Sequence, residues 1–355
     1  MDKISWKKTR VLVTGADGFI GSHVAKELVN RGAEVTAIVR DIKKQSNIDV
    51  LGIKNKINII HGDLISFEDC ERCFNEYEIE FCFHIAAQAI VGPANRSPLS
   101  TFESNIKGTW NILEAARNSK MIKGLVIASS DKAYGQQKKL PYTEESPLNG
   151  YYPYDASKAC AEILARCYFM TYKIPLAITR NANTYGPADM NFSRIIPDVI
   201  TRLIKGEEPV IRSDGIPERD YMFIEDAVNA YITLAENLHI KEVAGEAFNF
   251  GTGKPISVIE LYSKIIKLMG SKAKPKILGE AKNEIDRQYL DSSKAKKILR
   301  WEAKYSIDAG LKKTIDWYRN HISKSQKSDK AEQSSACDRK SSDFLQISDD
   351  AQKSG

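Results

Sequence analysis

The sequence predicts an α/β fold: a doubly wound parallel sheet with helices on both faces, joined to a smaller α/β lobe. Three observations lead there. Up to Arg180, short β-branched runs alternate with amphipathic helical stretches, the pattern of a parallel sheet covered on both sides. A glycine-rich turn stands between the first such run and the first helical stretch. Beyond Arg180 the alternation becomes irregular, which assigns residues 181–321 to a second lobe interleaved with the first.

The elements follow in order. Strands are expected over Arg10–Thr14, Val35–Val39, Ile57–Ile60, Phe81–His84, Leu125–Ser129 and Pro175–Thr179, with helices starting near Phe19, Phe67, Pro98 and Tyr154. After a loop to Ser193 come a helix over Ile195–Lys205, a strand near Val210 and a helix over Glu225–Leu238, and segments near 221–250 are expected to return to the first domain, 1–180. The last stretch, 322–355, holds nine serines and six charges of each sign with few large apolar groups, the composition of a disordered tail.

Composition narrows the partners. The chain has 355 residues, 42% of them hydrophobic, enough for one large core or two modest ones. No window approaches the roughly 18 uninterrupted apolar residues of a membrane-spanning helix. The polar, basic start from Met1 to Arg10 leaves no room for the apolar core of a signal peptide, so a cytoplasmic location is expected. Six scattered cysteines read as reduced thiols, and the Cys70/Cys73 pair has no second pair to complete a metal site. No metal is called for. The net charge of +6 falls on the residues before the tail, without the clustered aromatics that nucleic-acid binding needs. It suits an anionic small molecule.

The turn reads RVLVTGADGFIG. Gly15 permits a tight turn, Gly18 lets the backbone approach a pyrophosphate, and Gly21 lets the helix lie close to the strand. The helix N-terminus then aims free N–H groups at the phosphates. This is the arrangement of a Rossmann-type dinucleotide site. The second strand ends in AIVRD, where Arg40 suits a ribose 2′-phosphate and Asp41 a free 2′-hydroxyl. Val39 in the usual acidic place tilts the choice toward NADP while Asp41 keeps NAD open. Asp63, in HGDL, can either bind the adenine amino group or cap its own loop.

Tyr154 and Lys158 are four apart in PYDASKA, on one face of a helix. A free tyrosine titrates near about 10, and an ammonium within about 4 to 6 Å favours its phenolate, as would a cationic nicotinamide. Tyr154 can then accept the proton of a sugar hydroxyl whose carbon gives up hydride. Just before it, LVIASSDKAYG leaves a strand at the end where open α/β sheets place ligands. There Ser130 can bond the reacting hydroxyl, while Asp131 and Lys132 form an acid–base pair able to eliminate water next to a new ketone. As that base Lys132 must be neutral, a shift from about 10.4 toward about 7, or about 4 to 5 kcal/mol.

With these residues in view, the chain resembles the extended short-chain dehydrogenase/reductase family, specifically its nucleotide-sugar epimerases and dehydratases. The resemblance runs from about Lys8 to Tyr318. It rests on VLVTGADGFIGSHV, HGDL, FHIAAQA, NIKGTWNILEA, ASSDKAYG, PYDASKACAE, ITRNANTYGP, ERDYMFIEDAVNAY and QYLDSSKAKKILRW. AAQAIV and PYDASKACAE most resemble CDP-glucose 4,6-dehydratases, and IVRD is similar to GDP-mannose 4,6-dehydratases. ERDYMFIED departs from the former and follows the wider family.

The resemblance implies a nucleotide-diphosphate-sugar 4,6-dehydratase using NAD or NADP. Ser130, Tyr154 and Lys158 would serve oxidation at C4, Asp131 would protonate the leaving 6-hydroxyl, and Lys132 would take the C5 proton. Asp17, Phe19, Ile20, Leu64, Ala86, Ala87 and Gln88 would join Gly15, Gly18 and Gly21 around the cofactor. Asn183, Arg219 and Arg287 would meet the substrate diphosphate, with Arg194 and Arg212 as further candidates. The helices from Pro98 and Tyr154 imply a homodimer through a four-helix interface. Two alternatives stand: a 4-epimerase or reductase of the same fold, in which Asp131 and Lys132 only shape the pocket, and a cofactor-binding regulator without chemistry.

Overall fold

The chain is described from a computed structural model covering residues 4–41, 46–280 and 285–324. Seven strands form one sheet: β1 (Arg10–Thr14), β2 (Glu34–Val39), β3 (Asn58–His61), β4 (Phe81–His84), β5 (Gly124–Ser130), β6 (Leu176–Asn181) and β7 (Ala247–Phe250). Their spatial order is β7-β6-β5-β4-β1-β2-β3, and every pair is parallel. Because β1 has β2 on one side and β4 on the other, the strand order reverses there and opens a crevice at the carboxyl ends of the strands.

Alternation along the strands divides the core. Val11 and Val13 join Val24 and Leu28 of α1 (Phe19–Asn30) on one face. Leu12 joins Phe74 of α2 (Phe67–Glu76) on the other. That second face also holds Ile112 and Leu113 of α3, a helical run over Pro98–Phe102 and Gly108–Asn118 with a π turn, Glu103–Lys107, inside it. Since each strand is buried on both faces, its sequence reads apolar throughout. Cys70 and Cys73 lie buried in this layer, where burial pushes their thiols up to about 12 and about 11. They serve as core side chains.

The long helix α4 (Pro153–Tyr172) starts with proline in its first turn, where a missing N–H costs nothing, and ends on Lys173 in the left-handed conformation. Further helices include α5 (Ile195–Lys205), α6 (Ile224–Glu236) and α7 (Val258–Met269). The last is an addition to the expected elements, and it carries its own start signal, the reciprocal cap between Ser257 and Glu260.

Outside the large sheet, the described strands are two or three residues long. Asn183–Tyr185 pairs with Tyr221–Phe223, and Glu218–Arg219 lies between Ile256–Ser257 and Arg287–Gln288. Expected strand ends lie within one or two residues of the observed ones, the usual uncertainty of element boundaries. The expected tail start is too early: a terminal helix spans 307–324, so Ile322 is still helical. The remainder of that stretch, with Cys337, lies outside the described residues.

Candidate active site

The glycine turn is held by backbone sterics. Gly15 has φ +71°, and a Cβ there would lie 2.8 Å from the Ala86 backbone, which crosses directly over the turn. At Gly21 a Cβ would fall 2.2 Å from the Gly15 carbonyl oxygen, so this glycine makes room for the turn itself more than for the strand. Gly18 is the N-cap of α1 with no side-chain cap, which leaves the first N–H groups of the helix open to a phosphate.

Beneath the turn runs a closed polar network. Thr14 Oγ1 accepts the N–H groups of Ile85 and Ala86, both at 3.1 Å, and faces His84 Nδ1 at 2.9 Å. With two acceptances made, its one O–H points to Nδ1, so His84 carries its proton on Nε2 and gives it to Thr109 Oγ1 at 3.0 Å. Burial holds His84 neutral, its pKa lowered to about 3. Thr109 in turn donates to the Asn105 carbonyl. The Asn105 amide clasps the Gln88 backbone and donates to Ser157 Oγ at 2.9 Å, and Ser157 donates to the Tyr154 carbonyl. Asn105 sits inside the π turn of α3, so the floor loop 85–88 and the start of α4 hang from one side chain. The sequence placed Asn105 within NIKGTWNILEA, but nothing local singled it out.

Tyr154 and Lys158 stand together on α4. Lys158 is buried, donates from Nζ to the Ala128 carbonyl at 2.7 Å, and is lowered to about 8 by burial. Tyr154 is pushed up to about 12, burial being the largest cause, with the Ser130 hydroxyl pulling the other way. Tyr154 is thus raised where the spacing predicts a lowering: desolvation dominates, and Lys158 is not among the chief charges that bear on it. α4 is fixed to the sheet by Arg180 of β6, whose guanidinium is bonded to Glu162 and lies over the Tyr134 ring at 4.7 Å from its centroid.

Ser130 ends β5, and Asp131 and Lys132 open a short 3₁₀ turn after it. Ser130 Oγ donates to Asp131 Oδ1 at 3.0 Å and accepts the Lys132 N–H. Asp131 is 2% exposed and its carboxyl is raised above the usual range by burial, against the pull of Lys132 and Arg219. Two side chains that sequence reasoning missed complete this cluster. Asp155, buried at the start of α4, is raised to about 6 by burial and by Asp131. Gln288, from the strand Arg287–Gln288, accepts from Lys132 Nζ and donates to the Asp131 carbonyl at 2.9 Å.

The other predicted residues divide. Arg219 is buried in register with Gln288 and its charge reaches Asp131. Arg287 is one step along the same strand, hence on the other face, where it is exposed and paired with Glu218 at 2.6 Å. Arg194 bonds Asp189 at 3.0 Å, lies over the Phe19 ring and reaches Tyr154 with its charge. Arg212 is exposed beyond strand Val210–Ile211 and is not bonded to the cluster among the described residues. Arg40 and Asp41 bond each other at 2.8 Å on the surface, so neither is committed to a ribose. Asp63 Oδ1 accepts the Ile65 N–H, the loop-capping arrangement, and the Leu64 carbonyl takes the Asn111 amide.

Both polar atoms of Asn181, Asn183 Nδ2 and Asp131 Oδ2 are buried without a hydrogen-bond partner among the described residues. Asn181 ends β6 in register with Ser130. Such atoms cost stability unless a ligand meets them, so unpartnered atoms on Asp131 and on Asn181, beside Ser130, fit a site built around a polar ligand.

A model of the GDP-mannose 4,6 dehydratase family matches residues 12–314. The chain belongs to that family. It is thus a member of the extended short-chain dehydrogenase/reductase enzymes that comprise nucleotide-sugar epimerases and dehydratases. It is 33% identical to a UDP-glucuronate 4-epimerase of Thermodesulfobacterium geofontis, over 88% of this chain and 96% of that one. It is 30% identical to the dTDP-D-glucose 4,6-dehydratase of Bos taurus, over 91% and 92% of the two chains. Among solved structures, the dTDP-glucose 4,6-dehydratase of Bacillus anthracis in complex with NAD superposes with a TM-score of 0.77 at 27% identity, over 88% and 97%.

Proposed function

We propose that this enzyme is a nucleotide-diphosphate-sugar 4,6-dehydratase. The observation that carries the reading is the Asp131–Lys132 turn: a buried carboxyl biased toward its protonated form beside an amine, one residue past Ser130 and facing Tyr154. A carboxyl whose hold on its proton is strengthened by burial is better suited to act as an acid than a solvated one.

A nicotinamide dinucleotide in the glycine crevice, held by the turn from Gly15 to Gly21 and the floor loop 85–88, supplies the acceptor for the C4 hydride and its return to C6. Tyr154, with Lys158 beneath it and Ser130 beside it, takes the proton of the 4-hydroxyl as the ketone forms. Lys132 removes the C5 proton, now acidified by that ketone. Asp131 gives its proton to the departing 6-hydroxyl, which leaves as water. Lys132 then returns a proton to C5, and the product is a 4-keto-6-deoxy sugar nucleotide. Asn183 and Arg219 hold the diphosphate, and Arg194 adds positive charge nearby. Arg287 would first have to leave Glu218.

NAD is the dinucleotide the reading favours, since a relative is solved with it. Identifying the dinucleotide that co-purifies checks this, and NADP there would reverse it. The reading includes a homodimer, supported by exposed Leu99 and Trp110 on α3 and exposed Ile163 and Met170 on α4. Light scattering should give twice the chain mass; a monomer removes this part.

A second reading, a 4-epimerase, is favoured by the 33% identity to an enzyme of that name. The deciding experiment incubates the protein with CDP-, GDP-, UDP- and dTDP-hexoses and follows product mass. Loss of one water without added cofactor is expected. An unchanged mass with a new stereoisomer would instead establish epimerisation. Lys132→Ala should still transfer hydride from C4 but lose no water; normal dehydration by that variant removes Lys132 as the base.

A further inference from the structure

Gln288 is fully buried, and its one amide makes two contacts with the same turn: Oε1 accepts from Lys132 Nζ, and Nε2 donates to the Asp131 carbonyl at 2.9 Å. It comes from a strand more than 150 residues further along the chain, one step from Arg287 and in register with Arg219. The alternation of that strand turns Arg287 to solvent and Gln288 inward. An apolar side chain would fill the space without reaching either group. The two-pronged contact points to a function on the lysine.

We propose that Gln288 is the positioning residue for Lys132: its neutral amide holds the amine against the Asp131 turn without adding a negative charge that would lock the amine in its protonated state. A carboxylate in that place would favour the ammonium, whereas an amide oxygen accepts from the amine in either state. Asp131 on its own turn and Asp155 on α4 bear on Lys132 with their charge, while Tyr154 on α4, Tyr142 and Arg219, on the strand paired with Gln288, bear on Asp131. Whatever negative charge those carboxyls carry favours the ammonium, and a carboxylate at position 288, in contact with Nζ, would add to it. The inference deepens the dehydratase reading and rests on it for its catalytic consequence.

The test compares full-length wild type, Gln288→Glu and Gln288→Met. Acetic anhydride labelling of Lys132, followed across pH by peptide mass spectrometry, reads the amine directly. In Gln288→Glu the midpoint of labelling should rise by about one pH unit or more, and the acid limb of water loss from CDP-glucose or dTDP-glucose should move with it. Hydride transfer from C4, read from the absorbance of the reduced nicotinamide, should stay within about twofold. Gln288→Met, neutral and of similar length, guards against a variant that fails to fold. It should keep C4 transfer and lose about tenfold or more in water loss, within the range contributed by a positioned acid or base. An unchanged labelling midpoint in Gln288→Glu, or C4 transfer and water loss falling together in both variants, overturns the proposal and leaves Gln288 a structural pin. If wild type loses water from no sugar nucleotide, the dehydratase reading fails, and the labelling midpoint still decides Gln288.

Discussion

The two sides of the crevice are built on opposite terms. Under the glycine turn every polar group has its partner: Thr14, His84, Thr109, Asn105 and Ser157 form one chain of hydrogen bonds from β1 to α4. Toward the ends of β5 and β6, Asn181, Asn183 and Asp131 keep buried atoms without partners, and Asp155 is a carboxyl held away from its preferred charge. The first side is preorganised and should add to the stability of the fold. The second should subtract from it, which is what a surface shaped to meet a ligand costs.

The largest expected effect lies on the first side. Thr14→Val removes a hydroxyl that accepts two backbone N–H groups and bonds His84, leaving those donors unsatisfied. The loss should be about 3 kcal/mol, given about 1–3 kcal/mol for each buried group left without a partner. Urea denaturation measures it. A variant as stable as wild type would show that the floor network is ornamental and would erase the contrast.

Next is the charge on the second side. Asp155 is raised to about 6 in the folded protein, from the 3.8 of an ordinary aspartate. The folded state thus keeps its proton over a range where the unfolded chain has released it. Any stability from this group is complete at low pH and is lost as pH rises between those two values. The change should be about 2 kcal/mol, one unit being worth about 1.4 kcal/mol with some allowance for partial solvation. Asp155→Asn should remove this part of the pH dependence and be more stable than wild type at neutral pH. If the two proteins respond alike across that window, Asp155 is ionised in the fold and is not a cost.

The same contrast explains what could be read from the sequence. The sheet was legible because residues of β1, β4 and β5 are apolar on both faces, and Gly15, Tyr154 and Lys158 were legible because their spacing is local. Gln288, Asn105 and Asp155 were not. Gln288 reaches the Lys132 turn only because a two-residue strand brings a distant segment beside it, and nothing in QYLD announces that pairing. Arg287 drew attention by its charge, but the pleat turned it outward and put its uncharged neighbour at the site. Asn105 depends on the π turn that directs its amide toward Gln88, a distortion that helical periodicity does not reveal. The raised Tyr154 and lowered Lys158 also escaped, because their shifts come chiefly from burial, which a sequence does not display.

The smallest effect separates the two sides by sign. Asn181 ends β6 beside Ser130 with both amide atoms buried and without partners among the described residues. Asn181→Leu keeps the approximate volume and removes the desolvated amide, so stability should rise by about 1 kcal/mol, the lower part of the cost of an unsatisfied buried group. Binding should move the other way: affinity for NAD or dTDP-glucose should fall about tenfold, the equivalent of about 1.4 kcal/mol. Titrating each ligand separately shows which one the amide meets, and thermal denaturation without ligand reads the stability. Thr14→Val and Asn181→Leu each remove one buried polar group a few ångströms from the same crevice, yet their stability changes should have opposite signs. A loss of stability in both would mean that the Asn181 amide is already satisfied by water, and that the two sides differ in what they bind but not in how they are held.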